Sequence, residues 1–188
     1  MSRTMFSSLR WLALVVFLLA ASSGRAQLAI YGMGTGGHES GPNVGNLSSP
    51  NGNGSFIAWG GTGGIYYDFV HLGPLHLGGD GRFILEHSGN STPYGNKIEG
   101  GLGGLRADAH LPLIPLIPYA QAEVGGVGTN NGTEPLLTTG FTYQVQFGCD
   151  ITILPHFDFR GEYGVGNIFL DSSHPVLQQF GGGFVIRL

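Results

Sequence analysis

The chain has 188 residues, of which 11% are charged and 35 are glycine, with one cysteine and a formal net charge of −4. A water-facing surface normally carries roughly 25–35% Lys, Arg, Glu and Asp, so this chain lacks the charge to cover one. Eight basic residues against twelve acidic ones exclude a nucleic-acid face, which needs clustered Lys and Arg, and the lone Cys149 excludes an internal disulfide.

Residues 1–26 read as a cleaved signal peptide. Arg3 and Arg10 give a positive start, residues 11–21 (WLALVVFLLAA) are apolar, and Gly24-Arg25-Ala26 puts small residues at the −3 and −1 positions. The apolar run is short of the about twenty residues that a spanning helix needs. No cysteine follows it to take a lipid anchor. Without Arg3, Arg10 and Arg25, five basic residues face twelve acidic ones, a mature charge near −7. Glycine and ten prolines approach a disorder-prone composition, but twelve Phe and seven Tyr in alternating frames argue for order. Nothing after residue 26 reads as an amphipathic helix.

Eight strands are expected in residues 27–188, which form one domain. The first lies near 27–36 and the second near 56–69. The third, 75–87, sets Leu77, Phe83 and Leu85 opposite Asp80, Arg82 and Glu86. The fourth covers about 97–109, where paired glycines blur the phase. The fifth starts at Tyr119 and sets Ala120, Ala122 and Val124 against Gln121 and Glu123.

The sixth and seventh form a hairpin over 140–166 and carry the strongest signal. Phe141, Tyr143, Val145, Phe147, Cys149 and Ile151 alternate with Thr142, Gln144, Gln146, Gly148 and Asp150. After Leu154-Pro155-His156, Phe157, Phe159, Tyr163 and Val165 alternate with Asp158, Arg160, Glu162 and Gly164. Strict period two puts these sets on opposite faces of a strand. Each arm is about ten residues or longer, close to what a tilted strand needs to cross a bilayer. The eighth strand, near 179–188, sets Phe180, Phe184, Ile186 and Leu188 against Gln179 and Arg187.

With so little charge available, the aromatic face is expected to meet lipid and the polar face to line the interior, the inverse of a soluble barrel. The connections alternate in length. Compact Pro-bearing links at 70–74, 111–118 and 154–156 alternate with longer polar segments at 37–55, 88–96, 129–137 and 167–177. Transmembrane barrels have short periplasmic turns and long extracellular loops, so both termini are expected on the periplasmic side.

These features resemble the outer-membrane β-barrel family of OmpA-type transmembrane domains and opacity-type surface proteins. The resemblance covers the whole chain after residue 26. It rests on the signal peptide, the eight alternating segments and a last strand, GGGFVIRL, that ends on an apolar residue. Such families usually end in Phe or Trp, and Leu188 departs from that. The resemblance implies an all-β, eight-stranded antiparallel up-and-down transmembrane barrel in the outer membrane. It further implies a monomer in outer-membrane lipid, delivered by the barrel assembly machinery through its C-terminal strand, with no cofactor and no nucleic acid.

The interior charges are the main candidate site. Asp80, Arg82, Glu86, Glu123, Asp158, Arg160, Glu162 and Arg187 are expected to point into the lumen as a network of ion pairs. Eight strands leave a lumen just wide enough for side chains to fill, and charges there must pair because an unpaired buried charge is costly.

Other motifs read as structural. Residues 32–37 match G-x-G-x-x-G, but no helix pattern follows to hold a pyrophosphate. His71, His110 and His156 fall in or next to the compact links, one at each, and His38, His87 and His174 at or in the long ones. No H-x-H or H-x-x-x-H pair occurs, so no metal site is expected. A His87–Ser88 dyad, with Asp171 and His174 as further candidates, would need two adjacent strand residues on one side of the wall, so no catalysis is expected. The expected function is a surface scaffold with loops for adhesion or recognition. A small porin-like channel is the alternative, and an outer-membrane lipid-modifying hydrolase the third reading.

Overall fold

Eight antiparallel strands close into a ring in the computed structural model, which describes residues 27–42, 44, 53–89, 94–111, 114–130, 136–171 and 173–188. They are β1 (Gln27–Pro42), β2 (Asn53–Leu72), β3 (Leu75–Ser88), β4 (Asn96–Ala109), β5 (Leu116–Thr129), β6 (Thr138–Leu154), β7 (Phe157–Phe169) and β8 (Val176–Arg187). Each pairs with its neighbours in sequence, and β8 returns to β1, where Ile30 faces Ile186 and Thr35 faces Gly181. The expected signal peptide lies outside the described residues, as does the centre of the first long connection.

The wall is inverted relative to a soluble barrel. Along β3, Phe83 is 73% exposed while its neighbour Arg82 is 2% exposed. The same alternation puts Trp59, Leu105, Val124, Phe141, Phe147, Tyr163 and Phe180 on the outside. Inside, Asp80, Ile84, Gln121, Gln146, Asp158 and Arg160 are buried. A continuous apolar exterior of this kind needs lipid around it.

Several strands run past the ends expected from alternation. β1 continues to Pro42 and β2 begins at Asn53, so the rungs from Gly37↔Ala58 to Pro42↔Asn53 extend the ladder by six residues. Likewise β7 reaches Phe169 and β8 starts at Val176, which shortens the connection between them. Alternation marks only the stretch where one face meets lipid, whereas backbone hydrogen bonds hold a ladder without it. β5 starts at Leu116 and contains Pro118, which pairs with Cys149 of β6 one residue before β4 joins at Tyr119. A missing N–H is tolerated where one neighbouring strand is absent.

Two connections are two-residue turns. Gly73 takes φ 64° ahead of Pro74, while His156 takes φ 68° behind Pro155. The second is the pattern of a type II turn, whose third position favours glycine, and β6 shifts register beside it between Thr152 and Leu154.

Curvature depends on inward glycines. A Cβ on Gly104 would lie 1.9 Å from the Ala122 carbonyl oxygen, and one on Gly166 would lie 2.0 Å from that of Tyr143. Adjacent backbones approach there because no side chain separates them, as at a barrel corner. Outward-facing Gly81 has nothing within 4 Å of the same position.

Gly104→Ala should therefore lower the urea midpoint of the barrel folded in lipid vesicles, while Gly81→Ala should leave it nearly unchanged. On the outer wall, Val124→Arg should destabilise the vesicle-inserted barrel by about 2–4 kcal/mol, the cost of arginine near a bilayer midplane. Val124→Leu should be tolerated in the same unfolding measurement.

Candidate functional site: the charged lumen

The lumen is filled in layers. Nearest the compact turns, Asp150 of β6 takes a two-point hold from Arg160 of β7, its direct cross-strand partner. Arg160 Nε donates to Oδ1 and Nη2 to Oδ2, both at 2.7 Å. Arg106 Nη2 donates to the same Oδ2 at 3.1 Å, and its Nε donates to Asp108 Oδ2 at 3.1 Å. Beside them Arg187 Nε donates to Asp158, and its Nη2 donates to Thr152 Oγ1 at 3.0 Å. Two-point guanidinium–carboxylate pairs combine charge with fixed geometry.

Three tyrosines enclose this layer. The Arg160 guanidinium carbon lies 4.4, 5.3 and 4.6 Å from the ring centres of Tyr31, Tyr66 and Tyr119. That of Arg106 lies 4.3 Å from Tyr66 and 3.7 Å from Tyr119. Arg106 Nη1 and Arg160 Nη1 are buried without a hydrogen-bond acceptor. Their guanidinium groups lie against the aromatic rings instead, which attract cations through their electron-rich faces.

The next layer centres on Arg82, whose two terminal nitrogens donate to the two oxygens of Glu162. Arg82 Nε stands 3.1 Å from Glu123 and 3.5 Å from Asp80. The tyrosine hydroxyls tie the two layers together, Tyr119 donating to Glu162 at 2.7 Å and Tyr31 to Asp80 at 2.8 Å.

Amides fill the middle of the barrel. Gln121 and Gln146 donate to Glu123, Gln146 also to Gln144, Gln144 to Gln179, and Gln179 to Glu86. Towards the long loops the interior turns apolar, with Val44, Phe56, Ile84, Ile98, Leu102, Ile168 and Leu177 in one cluster. Glu39 is buried near this end and accepts from Thr129 Oγ1.

All eight residues singled out in the sequence point inward, in separate groups. Asp80, Arg82, Glu123 and Glu162 form one, and Asp158 and Arg187 a second. Arg160 pairs with Asp150 instead of with another of the eight. Glu86 pairs with no cation among the described residues; it accepts hydrogen bonds from neutral side chains, Gln179 among them. Sequence reasoning missed Arg106, Asp108 and the tyrosine cage. The glycines at 100, 101, 103 and 104 hide the phase that would have placed Arg106 inside. Alternation puts Asp150 on the polar face, but register sets its partner.

The remaining motifs take ordinary places. Residues 32–37 lie within β1, paired rung by rung with β2. His87 is exposed and is followed by Ser88 on the same strand, so their side chains leave opposite faces. His174 rests against Phe169 in the β7–β8 connection, and Asp171 there is exposed. At the turn end, the structure also gathers His76, Asp108 and His110, which no sequence spacing had suggested.

No protein-family model matches the chain, and no curated protein matches it. Solved structures match by fold. Neisserial surface protein A superposes with a TM-score of 0.55 at 15% identity, over 84% of this chain and 97% of that chain. Ail, the attachment invasion locus protein of Yersinia pestis, gives 0.51 at 12% identity, over 86% of this chain and 99% of that one. The fold, with its apolar outer wall, is that of the eight-stranded outer-membrane β-barrels.

Proposed function

We propose that the protein is a plugged, monomeric barrel that serves as a surface scaffold, with its longer loops available for adhesion or recognition. The observation that carries this reading is occlusion of the lumen at every level. Asp158 and Arg160 near the turns, Gln146 at mid-height, and Thr142, Ile84, Ile98 and Leu177 towards the loops are all 0% exposed. A conducting pore needs a continuous water path, and side chains buried at each of these levels argue against one. The segments left to act are the loop-end connections, all at the end opposite the compact turns. Similarity of fold to a surface protein and to an attachment invasion protein supports the same direction. In this reading outer-membrane lipid covers the apolar wall. The barrel assembly machinery takes up β8, whose outward side carries Phe180, Phe184 and Ile186.

Planar-bilayer recordings test the plug, and the purified barrel should give no discrete conductance steps. Stepwise conductance in the wild type would favour the porin-like alternative. Arg160→Ala should remove the two-point hold on Asp150, leaving it to Arg106, and destabilise the barrel in lipid by at most about 3–5 kcal/mol, read from the unfolding midpoint. Arg160→Lys should fall between, because it restores the charge without the two-point fork. Replacing residues 45–52 with a Gly-Ser segment should abolish attachment of expressing cells to their target surface. Heat-modifiable migration of the folded barrel should stay unchanged in that variant.

A further inference from the structure

The compact-turn rim carries a second cluster, separate from the arginine plug in its chemistry. β-sheet register builds it from three strands. His71 at the end of β2 lies opposite His76 at the start of β3, and His76 lies opposite Asp108 at the end of β4. His110 follows Asp108 by two residues, close beside the same end of the sheet. The rings of His76 and His110 stack with centres 4.1 Å apart, and His71 meets His76 edge-on at 4.3 Å.

Three groups converge. Asp108 Oδ1 stands 3.2 Å from His110 Nε2 and 3.7 Å from His76 Nδ1. One ligand atom from each of the three residues lies within 4.8 Å of the others. Asp108 is only 3% exposed, and its Oδ1 meets the His110 imidazole, while the buried His76 Nδ1 beside it has no hydrogen-bond partner. The other oxygen, Oδ2, is taken by Arg106 Nε at 3.1 Å, which turns Oδ1 towards the imidazoles. A buried ring nitrogen left open beside a buried carboxylate is costly unless something fills the gap.

We propose that His76, Asp108 and His110 form a binding site for a divalent transition metal ion of the zinc class at the turn-side rim. Two imidazoles and one carboxylate are a donor set that suits Zn²⁺, and bonds of about 2.0–2.2 Å at tetrahedral angles set ligand atoms about 3.3–3.5 Å apart. The two measured separations from Asp108 Oδ1 bracket that spacing. Binding requires the stacked rings to splay, so that both lone pairs point at the ion. Room for this exists, since the side chain of His110 is 29% exposed and that of His76 14%. The fourth position is left to water or to His71. Such an ion would clip the β2–β3 turn to the end of β4 and face the periplasm, the side on which short turns lie in barrels of this type.

The test uses the untagged, folded barrel in detergent, stripped with chelator and titrated with Zn²⁺ by calorimetry. One ion per barrel is expected, and the paired change His76→Ala with His110→Ala should weaken binding at least tenfold. His156→Ala, in the opposite turn, should not change it. Absence of saturable binding below millimolar Zn²⁺, or binding indifferent to the paired change, would overturn the proposal. Should the paired variant fail to fold, wild-type protein still decides. Zn²⁺ should shield His76 and His110 from diethyl pyrocarbonate while His38, His87 and His156 stay reactive, and equal labelling with and without zinc refutes the site.

Discussion

Arg82, Arg106, Arg160 and Arg187 are the only arginines in residues 27–188, and each must be neutralised inside a ring scarcely wider than its own contents. An unpaired guanidinium in that space is prohibitive, so carboxylates, phenols and amides are arranged around them. The same requirement fixes the wall. Slipping β7 by one residue would move Asp158, Arg160 and Glu162 into lipid and pull Phe159 and Tyr163 inside. Because the side-chain period is two, no partial slip avoids this exchange. The buried charges therefore specify register more strongly than the apolar wall can, since lipid accepts almost any apolar side chain.

This explains what was legible in the sequence. Where a strand has side chains on both faces, as in β3, β6, β7 and β8, alternation alone gives direction, and Arg82, Arg160 and Arg187 fall inside. Where glycines remove the side chains, as in β4, the phase is silent and Arg106 is lost. Alternation also says nothing about neighbours. Asp150 sits on the expected face, but only the rung Asp150↔Arg160 shows which cation it serves. The gathering of His76 with Asp108 is likewise a register effect, since 32 positions separate two residues that lie on one rung. The glycines that blur the phase are themselves structural. Gly104 and Gly166 let neighbouring backbones close to distances that any Cβ would forbid.

The layers of the lumen differ in how they exclude water. At the turn end, charge pairs and aromatic rings occupy the space, and each tyrosine contributes both a ring and a hydroxyl. Tyr119 stacks on two guanidiniums and donates to Glu162, so phenylalanine in its place would leave that carboxylate short of a donor. At mid-height a relay of glutamines spreads the charge of Glu123 and Glu86 over neutral donors. Towards the loops, aliphatic packing replaces hydrogen bonds altogether. A polar plug alone could admit water between its members, and an apolar plug alone could not hold the arginines. Stacked in series, each closes what the other leaves open.

The rim cluster and the plug share a single residue, Asp108, and its two oxygens are divided between them. Oδ2 accepts from Arg106, which in turn reaches Asp150 and through it Arg160. Oδ1 faces the imidazoles of His76 and His110. An ion held at Oδ1 would draw on the same carboxylate charge that orients Arg106, without displacing it, because each partner has its own oxygen. Arg106 has further support in Asp150 and in the rings of Tyr66 and Tyr119, so it need not follow a change at Asp108. The division would let the rim take or lose a cation while the arginine layer beneath stays seated. The turn-side edge could then change its charge without opening the lumen.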